Sequence, residues 1–154
     1  MMKTCFIGHR DIIQKDLYSK LLTAIQNQVA KNCKIFTMGT HGNFDRLALS
    51  ICKKLKTTNK NICIEVVITT PNFLTKDKDI NEQVYKDVET VMYEIEDIHF
   101  KQRIILSNKK MIDTCDTLIC YIDPSIKKSG AKTALRYAEK HGLKIINLFE
   151  NKNP

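Results

Sequence analysis

Apolar residues along this chain fall into two alternating patterns. Short continuous runs, Cys5-Phe6-Ile7, Cys33 to Met38, Ile62 to Thr69, Thr117 to Ile122 and Lys144 to Phe149, read as strands, and continuous apolar sequence marks strands covered on both faces. Between them apolar residues recur at helical spacing. Ile13, Leu17, Leu21, Ile25 and Val29, widened by Leu22 and Ala24, predict a helix of about five turns that opens at Asp11 as N-cap and ends near Lys31-Asn32. Phe44, Leu47, Ala48, Ile51 and Leu55 predict a second, and Val84, Val88, Val91 and Ile95 a third. Gln102 to Asp113 predicts a fourth, with Ile105 and Ile112 core-facing around Asn108. Ala131, Ala134, Leu135 and Ala138 open a last helix closed by Gly142.

Strands alternating with helices predict an α/β architecture, and a helical crossover between neighbouring strands makes them parallel and right-handed. All strand ends then share one rim. Glu65 suggests that the third strand lies at a partly wet edge. Asp97-Ile98-His99-Phe100 is expected as a very short strand, and residues 71–82 as a polar loop.

The first strand ends in Gly8-His9-Arg10 and the second in Gly39-Thr40-His41-Gly42-Asn43-Phe44-Asp45, while Ser125 to Gly130 reads as a basic loop ahead of the last helix and brings Lys127 to Thr133 to the same rim. Three loops of this kind on one rim describe a ligand crevice. Glycines let a backbone approach phosphate without an obstructing Cβ, and free N–H groups at a helix start favour an anion. Arg10 is the candidate clamp for phosphate or carboxylate, because guanidinium offers a planar fork of donors; the competing assignment is a salt bridge to Asp45 or Asp123. His41 is either a general acid or an exposed loop histidine. An amide at Asn108, flanked by core-facing isoleucines, needs a partner in the protein or in a ligand. Asp113 and Asp116 precede the fourth of these strands at its amino end, away from the crevice, and read as structural.

Composition narrows the class. The chain has 154 residues, 43% hydrophobic and 27% charged, which fits one domain over residues 1–150 with 151–154 as a tail. Six cysteines without a CxxC pair, most inside apolar runs, point to free thiols in a reducing cytoplasm and give no metal-ligand spacing. No signal-peptide core follows Met1, and no apolar run reaches the roughly 18–20 residues of a membrane span. The net charge of +8 is spread over dispersed lysines without interleaved aromatics, so a solvated basic surface is favoured over a polymer-binding groove.

With Cys5-Phe6-x-Gly8-His9-Arg10, Gly39-x-x-Gly42-x-Phe44-Asp45, Asn108-x-x-Met111-Ile112-Asp113-x-x-Asp116 and Gly130-Ala131 ahead of Tyr137-Ala138-x-x-x-Gly142, the chain resembles the SLOG superfamily, nearest its YpsA-like branch. The resemblance covers almost the whole chain. It implies a Rossmann-like three-layer sandwich with a mainly parallel sheet, and a site for a nucleotide or a nucleotide-derived ligand such as an ADP-ribose or NAD relative. The residues it brings to that site are Gly8, His9, Arg10, Gly39, Thr40, His41, Gly42, Asp45, Asn108, Ser129, Gly130, Ala131 and Thr133.

Relatives often carry Arg where this chain has Ser107, and a second Gly where it has Ser129, so Lys127, Lys128 or Lys132 are candidates for a missing phosphate contact. The superfamily also includes phosphoribohydrolases with a catalytic Glu three residues after Thr of the glycine motif. Counted from Thr133 that position is Arg136, which cannot stabilise an oxocarbenium ion or activate water. Binding, as a sensor or accessory protein, is therefore expected ahead of catalysis. An N-glycosidase, phosphoribohydrolase-like or deoxyribosyltransferase-like enzyme using Asp45 is the alternative, and a basic DNA-binding module ranks third. The expected partner is the small nucleotide-like ligand, with no membrane; homo-oligomerisation stays open, and no cofactor beyond such a ligand is implied.

Overall fold

The computed structural model describes residues 2–9, 11, 15–69, 83–93 and 99–150, with the backbone alone at positions 100 and 101. Their order is β1 (Lys3–Gly8), α1 (Leu17–Ala30), β2 (Ile35–Met38), α2 (Asn43–Lys56), β3 (Cys63–Val67), β4 (Glu89–Val91), α3 (Phe100–Asp113), β5 (Thr117–Tyr121), α4 (Gly130–Lys140) and β6 (Lys144–Asn147). The six strands form one sheet in the order β4-β3-β2-β1-β5-β6, and every pairing is parallel. This is a Rossmann-like α/β fold. Arg10, the polar loop 71–82, Asp97, Ile98 and the 151–154 tail lie outside the described residues.

Alternation along the strands divides the core in two. Phe6, Phe36, Met38, Ile64, Val66 and Ile119 point to one face, where Leu21 and Ile25 of α1 and Phe44, Ala48 and Ile51 of α2 cover them. Cys5, Ile7, Leu118 and Cys120 point to the other, against Met111 and Ile112 of α3 and Ala134 and Ala138 of α4. Each large apolar side chain so buried contributes about 1.5–3 kcal/mol. All five residues of β5 are buried, as its unbroken apolar run predicts.

Helices α1 and α4 end alike. Asn32 (φ 72°) and Gly142 (φ 75°) adopt the left-handed conformation. The amides of Asn32 and Cys33 then return to Val29 and Gln28, and those of Gly142 and Leu143 to Glu139 and Ala138, the paired pattern that satisfies final-turn carbonyls.

Four expectations are corrected. The segment carrying Val88 and Val91 is not helical: Glu89–Val91 pairs with Glu65–Val67, because the outer edge of β3 offers unpaired backbone groups and Asp87 (φ 63°) interrupts any helix before them. β3 is therefore an inner strand, and Glu65 is accommodated by an ion pair with Lys3 (2.6 Å). Helix α1 starts at Leu17 after Asp16, not at Asp11, and Asp16 pairs with Lys20 one turn on (3.3 Å). Phe100 opens α3 and does not end a strand.

Candidate functional site

Strand order reverses direction at β1: the chain builds outward through β2, β3 and β4, then returns to β5 on the other side. A crevice at the carboxyl ends of β1 and β5 follows from that reversal. A cavity of about 420 Å³ occupies it, lined by Gly8 and His9 from β1, Gly39, His41 and Asp45 around the start of α2, Ile104, Ile105 and Asn108 from α3, and Ser129, Gly130 and Ala131 from the start of α4, over a floor of Phe6 and Ile7. This volume lies in the range of about 300–1,000 Å³ common to small-molecule sites.

His9 ties the two strand ends together. Its backbone N–H donates to the Tyr121 carbonyl (3.2 Å), and its Nε2 accepts the backbone N–H of Asp123 (2.9 Å). Accepting at Nε2 leaves the proton of the neutral ring on Nδ1. Partial burial lowers the His9 pKa, outweighing the nearby Asp123 carboxylate that raises it. Asp123 itself is held below its ordinary value chiefly by the Ser125 hydroxyl and amide that donate to it.

Gly8 has a packing reason for being glycine. A Cβ there would stand 2.4 Å from Cγ of Phe44, and Phe44, only 1% exposed, stacks on Tyr121 of β5 with ring centroids 6.3 Å apart. The absent side chain thus lets α2 settle onto the ends of β1 and β5. Gly39 does the same for its neighbour, since a Cβ on it would lie 3.1 Å from Asp45 Oδ2.

Asp45, in the first turn of α2, reaches back to accept the His41 backbone N–H at Oδ2 (3.1 Å). Burial pushes its pKa up to about 6, against the lowering effect of that bond. His41 in turn places Nε2 3.3 Å from the Thr69 hydroxyl. On the opposite wall Ser129 caps α4, its Oγ accepting the Lys132 amide (3.0 Å). Gly130 and Ala131, the first two helical residues, keep backbone N–H groups without intrahelical acceptors and line the cavity. Asn108 also lines it, and among the described residues its side chain has no hydrogen-bond partner.

The sequence-predicted residues Gly8, His9, Gly39, His41, Asp45, Asn108, Ser129, Gly130 and Ala131 are thus brought together. Thr40, Gly42 and Thr133 are not among the lining residues, and the Thr133 hydroxyl donates to the Ser129 carbonyl (3.1 Å). Lys132 is occupied with the Pro124 and Ile126 carbonyls (3.2 and 3.0 Å), while Lys127 and Lys128 are exposed. Sequence reasoning missed Ile104 and took Ile105 for core; both form the apolar wall, and their place one helical turn before Asn108 is the signal that shared its face. Asp113 accepts the Tyr137 hydroxyl (2.6 Å) and Asp116 the Lys3 amide (2.9 Å).

No protein-family model matches the chain, and no curated protein matches it. Among solved structures it is similar to a probable mandelate racemase from Alicyclobacillus acidocaldarius, with 12% identity and a TM-score of 0.38 over 98% of this chain and 43% of that one. The chain thus spans less than half the length of that structure, and likeness at this level assigns no chemistry. No described helix is long and apolar enough to cross a membrane. What stands is a Rossmann-like α/β fold with a six-stranded, all-parallel sheet.

Proposed function

We propose that the rim cavity binds a nucleotide or nucleotide-derived ligand of the ADP-ribose or NAD kind, and that the protein acts as a sensor or accessory protein of the SLOG, YpsA-like type. The observation that carries this reading is the pairing of two unlike walls across one crevice. At one wall the unsatisfied Gly130 and Ala131 amides begin α4, where the helix dipole favours phosphate. At the other stands the Asp45 carboxyl, an acceptor suited to ribose hydroxyls and unsuited to phosphate. Ile104 and Ile105 supply apolar surface for a base, and the free Asn108 amide a donor and acceptor for its edge. Titration calorimetry with ADP-ribose, NAD and nucleoside monophosphates is expected to give saturable binding to one site per chain; no heat with any of them would reject the reading.

A second reading rests on Asp45 alone. A carboxyl with its pKa at about 6 is poised between the forms that donate a proton and that stabilise positive charge at an anomeric carbon. It predicts release of free base from a nucleoside monophosphate, lost in Asp45→Asn. Absence of turnover across a nucleotide panel leaves binding as the activity.

A further inference from the structure

A second groove lies apart from the rim cavity and shares no lining residue with it. It runs between α1 and the edge strand β6, with a volume of about 470 Å³ and an apolar floor of Ala24, Ile146 and Leu148. Near the start of α1 the ammonium of Lys20 is neutralised by Asp16 (3.3 Å) and Glu150 (3.0 Å). Lys31, about three helical turns further on, and Lys144 also line the groove. Both are exposed, and among the described residues neither has a carboxylate within ion-pair distance.

Gln28 sets this groove apart from an ordinary basic surface. It lines the groove yet is only 1% exposed. Its Oε1 accepts the Thr4 hydroxyl (3.4 Å), while its Nε2 has no hydrogen-bond partner among the described residues. A buried amide N–H group left open in this way calls for an acceptor from outside the protein. Neighbouring oxygens do not meet that need, because they are already engaged. Asn147 Oδ1 accepts the Ile122 and Phe149 amides (both 3.1 Å), the Glu150 carboxylate holds Lys20, and the amides of Lys31, Asn32 and Cys33 take the Asn27, Gln28 and Val29 carbonyls at the end of α1. The open groups of Lys31, Lys144 and Gln28 are all donors.

We infer that this groove binds a small organic acid, its carboxylate between Lys31, Lys144 and the Gln28 amide and its apolar body on Ala24, Ile146 and Leu148. An ionised carboxylate only accepts hydrogen bonds, and its two oxygens have room for two ammonium groups and one amide. Bonds from ammonium to carboxylate are charge-assisted and so among the stronger ones. A monoanion suits the place better than a phosphate dianion, since Lys31 stands at the carboxyl end of α1, where the helix dipole is negative. An alkyl or aryl body gains further from leaving water for the apolar floor. This ligand differs in class from the nucleotide proposed for the rim, and the two sites titrate separately.

Nuclear magnetic resonance titration of the isotope-labelled chain with hexanoate, at constant ionic strength, tests the inference. Saturable shifts of the Gln28 side-chain amide and of the Lys31 and Lys144 backbone amides are expected, with Gly130 and Ala131 at the rim unmoved. Acetate keeps the carboxylate but loses the chain, and is expected to need at least about tenfold more for the same shifts. Lys31→Gln and Lys144→Gln should each weaken hexanoate binding by about fivefold to tenfold. Lys140→Gln, at an exposed lysine outside the groove, should leave it unchanged. Shifts that do not saturate, equal responses to hexanoate, acetate and inorganic phosphate, or full affinity in both groove-lysine variants would each overturn the inference.

Discussion

The backbone N–H of Asp123 donates to Nε2 of His9 at 2.9 Å, so the imidazole at the floor of the crevice serves as an acceptor between two strand ends. That role requires a neutral ring. Removing it as His9→Ala orphans a part-buried amide and is expected to cost about 1–3 kcal/mol, measured by urea unfolding at pH 7.5, whereas His9→Gln keeps an acceptor and should recover part of the loss.

The same bond fixes a pH dependence. The folded-state pKa of His9 lies below the ordinary 6.5, so between those values the unfolded chain binds the extra proton. Stability from this group is fully present above 6.5 and falls as pH drops through the lowered folded value. The wild-type midpoint should therefore decline on acidification from pH 7 toward 5 more than that of His9→Gln, after allowance for carboxylates common to both.

Asp45 works with the opposite sign. Its folded pKa of about 6 exceeds its ordinary 3.8, so its ionisation opposes folding progressively as pH rises from about 4 through 6. Asp45→Asn keeps an oxygen for the His41 amide and is expected to stabilise the protein at pH 7.5 by about 1–2 kcal/mol, less than the full shift because solvent reaches the side chain. At pH 4 the gain should vanish. A carboxyl kept where it weakens the fold is the pattern expected of a group retained for its chemistry. Equal stability of the variant at both pH values would contradict the assignment.

Gly8→Ala tests whether the crevice depends on the seating of α2. The added methyl would lie 2.4–2.7 Å from three atoms of Phe44, its Cβ among them, and overpacking of this kind costs about 1–3 kcal/mol. Because both residues share one contact, Gly8→Ala combined with Phe44→Ala is expected to cost less than the sum of the two single changes.

Much of the fold was legible because parallel strands buried on both sides write themselves as apolar runs, as Thr117 to Ile122 does, and because Asp45 follows such a strand and Asn108 shares a helix face with apolar neighbours, whereas the Ser129 cap of α4 emerged only from the structure. The valines at positions 88 and 91 misled, since their spacing fits a helix while the free edge of β3, invisible in local sequence, recruits them as a strand. Gly8 was legible as a special position but not for its reason. A glycine that admits a phosphate and one that admits a phenylalanine ring look alike until the ring's position is known. Ile104 and Ile105 were hidden for a related cause: an isoleucine facing a cavity and one facing core have the same periodicity.

Asn108 offers the cleanest separation of binding from folding. Its side chain is half-buried and has no protein partner among the described residues, so Asn108→Ala should change stability by no more than about 0.5 kcal/mol. Loss of its hydrogen bonds to the proposed ligand should nevertheless weaken binding by about tenfold, the equivalent of about 1.4 kcal/mol.

Nuclear magnetic resonance titration of the isotope-labelled chain with ADP-ribose and NAD, in the wild type and Asn108→Ala, tests the binding proposal most directly. Saturable shifts of the Gly8, Gly39, Gly130 and Ala131 amides, requiring about tenfold more ligand in the variant, are the predicted result. Unmoved rim amides with every nucleotide tried, or shifts confined to another surface such as the groove beside Lys31 and Lys144, would contradict it.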